Sequence, residues 1–132
     1  MEKAILCVDD ETIILDSLVE QLEKNLGNNY IYEAAESAEE ALMVIEELEN
    51  DNIKIVGVVS DWLMPEMKGD EFLLKVDEMF PSIVKILLTG QANEKAIERL
   101  QENTKHFSLV QKPWDIIEIV EILNTHFSKG KN

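Results

Sequence analysis

The sequence is short of several things, and each shortage excludes something. It holds one cysteine, Cys7, so an internal disulfide is impossible and a reducing compartment fits. Basic residues are scarce, twelve against twenty-seven acidic ones. The resulting net charge of -15, with a pI near 4.4, argues against direct binding to nucleic acid or to an anionic membrane. The expected partners are therefore proteins, or a metal. Apolar runs are short: the first, Ala4-Ile5-Leu6-Cys7-Val8, ends in acid, unlike a signal peptide, and none approaches the length that spans a membrane. The expected location is cytoplasmic. Internal repeats, low-complexity tracts and long linkers are missing as well. The 132 residues suffice for one domain with a real core, and not for a second, output-type domain.

What is present is an alternation of strand and helix. Residues 3–8 read as a strand, followed by a helix with Leu15, Leu18, Val19, Leu22 and Leu26 on one face and Gly27 as its stop. Residues 30–34 read as a second strand. Ser37 and Glu40 form a capping box for a helix striped by Ala38, Ala41, Leu42, Ile45 and Leu48. The third strand, from Ile55, is apolar with Gly57 as its weak point. Gly69 and Asp70 then open a helix that turns Phe72, Leu73, Val76, Met79 and Phe80 inward. Residues 84–88 form strand four, and residues 93–103 a weakly patterned helix with only Ala96, Ile97 and Leu100 to bury. A strand over 107–111 leads to a last helix over 115–127, with Ile116, Ile119, Val120, Leu123 and Phe127 inward. Residues 129–132 read as a polar tail beyond a domain of residues 1–128. Five such units, each link too long for a hairpin, imply an α/β fold, a doubly wound five-stranded parallel sheet (flavodoxin-like, strand order 2-1-3-4-5) with helices on both faces.

The strand ends carry the chemistry. Ligands of such sheets bind at the carboxyl ends of the strands, and there Asp61 ends strand three while Asp9 and Asp10 end strand one. Three carboxylates brought together repel, so a proton or a cation must settle among them. All-oxygen ligands suit a hard divalent ion, and few protein ligands with several waters favour Mg2+. The competing reading is that Asp9 and Asp10 merely start the next helix. Strand four ends at Thr89 and strand five at Lys112, offering a hydroxyl donor and an ammonium at the same edge. His106 and His126 read as surface residues.

In this order and spacing the residues resemble the receiver domains of two-component response regulators. Ser60-Asp61-Trp62-Leu63-Met64-Pro65 with Gly69 is especially similar to the chemotaxis-type single-domain regulators. The resemblance implies that Asp61 is the phosphoacceptor and that Asp9, Asp10, Asp61 and the Leu63 backbone carbonyl hold Mg2+. It also implies that Thr89 is the switch hydroxyl, that Lys112 contacts the phosphoryl group, and that the Lys112-Pro113 bond is cis. The implied phosphodonor is a histidine kinase or phosphotransfer protein; the expected downstream contact, with a protein or output domain, is the face of helix four, strand five and helix five, where Ile122 falls away from the core stripe and Trp114 opens the last helix.

The sequence departs from that family at Leu109, where an aromatic residue is usual; Phe107 shares its face one pair back. Leu63 and Gln91, two residues beyond Asp61 and Thr89, lack a base that would activate water, so a long-lived acyl phosphate is expected. Two other classes compete. A hydrolase of the haloacid-dehalogenase type wants a second acid where Leu63 stands, and a metal-binding module would have no phosphochemistry. Stoichiometric self-phosphorylation, without rapid turnover, is the expected behaviour.

Overall fold

Five apolar strands alternate with five amphipathic helices, and each strand finds parallel neighbours because every helix carries the chain back to the starting edge. The computed structural model describes residues 1–91 and 93–129, without the side chain of Lys129. In chain order the elements are β1 (Lys3–Val8), α1 (Thr12–Leu26), β2 (Ile31–Ala35), α2 (Ala38–Asn50), β3 (Lys54–Asp61), α3 (Gly69–Met79), β4 (Val84–Thr89), α4 (Glu94–Asn103), β5 (Phe107–Gln111) and α5 (Ile116–Lys129). The sheet is wholly parallel with order β2-β1-β3-β4-β5, the expected topology.

Strand alternation divides the core in two. On one face Leu6, Val8, Val58 and Leu87 meet Ala41 and Ile45 of α2, Phe72 and Val76 of α3 and Leu100 of α4. On the other, Ile5, Cys7, Val59, Ile86 and Leu88 meet Leu15, Leu18 and Leu22 of α1 and Ile119 and Leu123 of α5. Gly57 is a fitted position rather than a weak point. A Cβ there would lie 3.0 Å from Leu123 Cδ2, so its absence lets α5 close on the sheet.

Local signals act much as expected, with informative exceptions. Gly27 ends α1 with φ 82°, a conformation that suits glycine. Ser37 Oγ accepts from Glu40 N at 3.0 Å, but the Glu40 carboxylate accepts from Glu36 N, one residue before the cap, so the box is reciprocal only in part. β2 begins at Ile31, one residue later than expected, because Ala35 pairs with Val8 and is buried with it. Met79 is exposed, not inward; the chain leaves the helix at Phe80, which packs on the core in its place. Ile122 is half-buried against the α1 and α5 core, not standing away from it, and Trp114 packs there too. The exposed apolar residue of α5 is Ile117, at 48%. The last helix includes Lys129, the expected start of the polar tail; residues 130–132 lie outside the described residues. α4 is as weakly held as its pattern implies, with Leu100 its one buried residue.

Candidate active site at the carboxyl edge of the sheet

Register alone brings the key residues together. Val8 pairs with Ser60, so the next residues, Asp9 and Asp61, leave neighbouring strands side by side. Asp61 pairs with Leu88, and Thr89 with Gln111, so Thr89 and Lys112 follow one step further along the same edge. Lys112 N donates to Thr89 O at 2.9 Å, which ties the last two strand ends, and the Lys112-Pro113 bond is cis as expected.

The carboxylates converge. One oxygen each from Asp9, Asp10 and Asp61 lies within 4.8 Å of the others. Lys112 Nζ sits 2.7 Å from Asp61 Oδ1 and 3.9 Å from Asp9 Oδ2. Asp9 is buried; its Oδ1 accepts from Glu11 N at 2.8 Å while its Oδ2 has no hydrogen-bond partner. Asp9 thus braces the turn before α1 rather than capping the helix, whose N-cap is Glu11 without a side-chain cap, so the competing reading fails and one Asp9 oxygen is left without a hydrogen bond. Burial pushes the Asp9 carboxyl up to about 6; the charges of Asp61 and Asp10 add to this, against the Glu11 N–H and the Lys112 ammonium. An orphaned buried oxygen within an all-oxygen cluster fits a hard divalent cation. Cys7, in the strand below, is held as a thiol, its pKa raised to about 12 by burial.

The backbone around Asp61 is fixed by contacts that the sequence did not announce. Gly69, the first residue of α3, approaches so closely that a Cβ would lie 2.1 Å from the Asp61 carbonyl oxygen. Its N–H donates to Trp62 O at 2.8 Å, and Trp62 N donates to Leu88 O at 3.1 Å. The Trp62 indole is buried, donates from Nε1 to Asp70 Oδ1 at 3.0 Å, and has Lys68 Nζ 5.4 Å from its ring centroid. Thr89 is buried, with its Oγ1 accepting from Gln91 N at 3.1 Å, which leaves the hydroxyl proton to donate elsewhere. Leu63 is 58% exposed, and so is Ile13 of α1 in still greater measure, so two apolar side chains stand in solvent just beyond Asp61 and Asp10.

A family model for the response regulator receiver domain matches residues 5–124. The chain belongs to that family. Among curated relatives, this receiver is 34% identical over 121 residues to an uncharacterized transcriptional regulatory protein, YesN, of Bacillus subtilis, covering 90% of this chain and 31% of that protein. It is 29% identical over 125 residues to the sensor kinase CckA of Brucella abortus, covering 95% of this chain and 12% of that one. The chain therefore spans less than a third of the length of either. Among solved structures, a CheY-like receiver domain protein from Methanospirillum hungatei superposes with TM-score 0.80 at 29% identity, over 98% of this chain and 99% of that one. A receiver domain protein from Clostridium thermocellum gives 0.82 at 26%, over 99% and 98%. Family membership removes the dehalogenase reading, in line with Leu63 standing where that class needs an acid. Among the described residues no helix is long and apolar enough to cross a membrane.

Of the remaining expectations, Phe107 and Leu109 do share a face, both half-buried against the α2–α4 side of the core. His106 is exposed as expected, whereas His126 is half-buried, and the two rings meet edge to face at 5.3 Å.

Proposed function

We propose that this receiver takes a phosphoryl group onto Asp61 from a phosphohistidine of a histidine kinase or phosphotransfer protein, and that the change is read by a downstream protein or output domain. The 2.7 Å contact between Lys112 and Asp61, beside the unpartnered Asp9 oxygen, carries the reading. One Asp61 oxygen is held by Lys112, and the other attacks phosphorus. An O–P bond forms, the N–P bond of the donor breaks, and the donor imidazole departs with the electron pair and takes a proton. Phosphoryl transfer is catalysed mainly by positioning and by neutralising the non-bridging oxygens. Lys112 supplies one positive charge for this, and the Thr89 hydroxyl a hydrogen bond. Asp9, Asp10, Asp61 and the Leu63 backbone carbonyl would hold Mg2+, which when bound supplies the remaining neutralisation.

Transfer is stoichiometric, since neither Leu63 nor Gln91 offers a base that would activate a water for rapid turnover. The phosphoryl group draws Thr89 toward it, and with Leu109 in place of an aromatic ring, the half-buried Phe107 takes the repacking role in β5. The α4-β5-α5 face meets the downstream partner, with α4 the most loosely packed helix and the half-buried Ile122, which lines a groove with Ser108 of β5, as an apolar contact. Incubation with phosphoramidate and Mg2+, followed by intact-mass measurement, should add one phosphoryl group to the wild type and none to Asp61→Asn. An unmodified wild type, with fold intact and metal bound by Trp62 fluorescence, would refute the assignment.

A further inference from the structure

At the sheet edge opposite the aspartates, the starts of β1, β3 and β4 and the approach to β5 surround a hollow of about 420 Å3. Its lining gathers basic side chains in a chain that has few of them. Lys3, Lys54, His106 and His126 all face it, and these include both histidines of the sequence. Lys3 and Lys54 are register partners on β1 and β3, so alternation turns both to the face of Ile5 and Cys7. Like charges at paired positions repel. Despite the twenty-seven acidic residues, neither ammonium pairs with a carboxylate among the described residues, whose ion pairs use Lys24, Lys85 and Lys112.

The other wall is aromatic. Tyr30 and Phe127 lie tilted against each other, with ring centroids 5.3 Å apart at 30°. The hollow is of the size that takes a small organic ligand, and it sets two aromatic side chains beside two lysines that have no ion pair among the described residues.

We propose that this hollow binds a small phosphomonoester dianion that carries a planar ring, with Lys3 and Lys54 on the phosphate and the ring against Tyr30 and Phe127. The anion relieves the repulsion between the two lysines, and the exposed His106 imidazole supplies an N–H donor at its rim. The hollow is a sheet's depth away from Asp61, so occupancy leaves the carboxylate site free.

The test uses the isotopically labelled wild type in Mg2+-free buffer, titrated with adenosine 5′-monophosphate, and separately with adenosine and with inorganic phosphate. Saturable resonance shifts should centre on Lys54, His106 and Phe127. Affinity should fall at least about tenfold in Lys3→Gln/Lys54→Gln and for either half of the ligand alone. Both substitutions lie at exposed positions, and the rest of the spectrum reports whether the fold is kept. Shifts centred on Asp9, Asp61 and Lys112, equal affinity in the double variant, or no saturable shift would overturn the proposal. So would a response to Zn2+ at the two histidines with none to the nucleotide.

Discussion

Lys85 and Asp77 form an ion pair of 3.0 Å in which the lysine, the second residue of the apolar strand β4, is 0% exposed. Its ammonium also donates to Ile83 O at 2.7 Å, and Asp77 Oδ1 accepts from Lys105 N at 3.0 Å. One carboxylate of α3 thereby ties β4 to the turn before β5. Burial pushes the Lys85 pKa down, and the Asp77 carboxylate opposes that shift.

Removing one member of a buried pair leaves an uncompensated charge, whereas removing the buried charge itself leaves little behind. Asp77→Ala should therefore cost about 3 kcal/mol in urea unfolding. Lys85→Met should cost distinctly less, since Asp77 keeps the Lys105 N–H and some solvent. A milder effect for Asp77→Ala than for Lys85→Met would show that the pair is not what holds the strand.

Lys85 also marks where the sequence stopped being readable. Strand ends at Asp9, Asp61, Thr89 and Lys112 were legible because each follows an apolar run, and parallel pairing then fixes which edge they share. A lysine inside such a run reads as outward-facing, and only the carboxylate of Asp77, eight residues earlier on a helix, explains its burial. Gly57 was misread for a related reason. Its use is defined by Leu123, sixty-six positions away, and no local pattern carries that. Lys3 opens the first apolar run and Lys54 precedes the third, and only register places them side by side.

Gly69 makes a sharper prediction about the site. Any side chain there must displace the Asp61 carbonyl, which is backbone and has nowhere cheap to go. Overpacking of this kind costs about 1–3 kcal/mol. Gly69→Ala should lose stability in that range and also slow phosphorylation of Asp61 by phosphoramidate. A variant with wild-type stability and rate would show that the α3 start moves freely.

Asp9 sets a pH dependence. Its folded pKa, about 6, lies above the ordinary aspartate value of 3.8, so below pH 4 the proton is bound in folded and unfolded chains alike and costs nothing. Between pH 4 and 6 the unfolded chain ionises first, and the metal-free fold loses stability as pH rises through that window. Asp9→Asn removes the titration. In metal-free buffer the variant should therefore gain melting temperature relative to wild type between pH 4 and pH 7, and adding Mg2+ at pH 7 should reverse the order by stabilising the wild type alone. A difference between the two proteins that stays constant across this range would remove Asp9 as the titrating group.

The lifetime of the phosphoryl group follows from what surrounds Asp61. On the proposed function, hydrolysis needs a water in line with the acyl-phosphate bond, and we expect the side chains two after Asp61 and two after Thr89 to flank that approach. Leu63 cannot hydrogen-bond a water, and the Gln91 amide can orient one without acting as a base. The exposure of Leu63 admits another account, in which it merely faces solvent and metal occupancy alone sets the lifetime. Saturating Mg2+ separates the two. Phosphorylated wild type, Leu63→Asn and Gln91→Glu should then decay at different rates, with both variants faster and Leu63→Asn fastest, because its amide gains a hold on the attacking water. Decay of Leu63→Asn at or below the wild-type rate would return control of the lifetime to the metal.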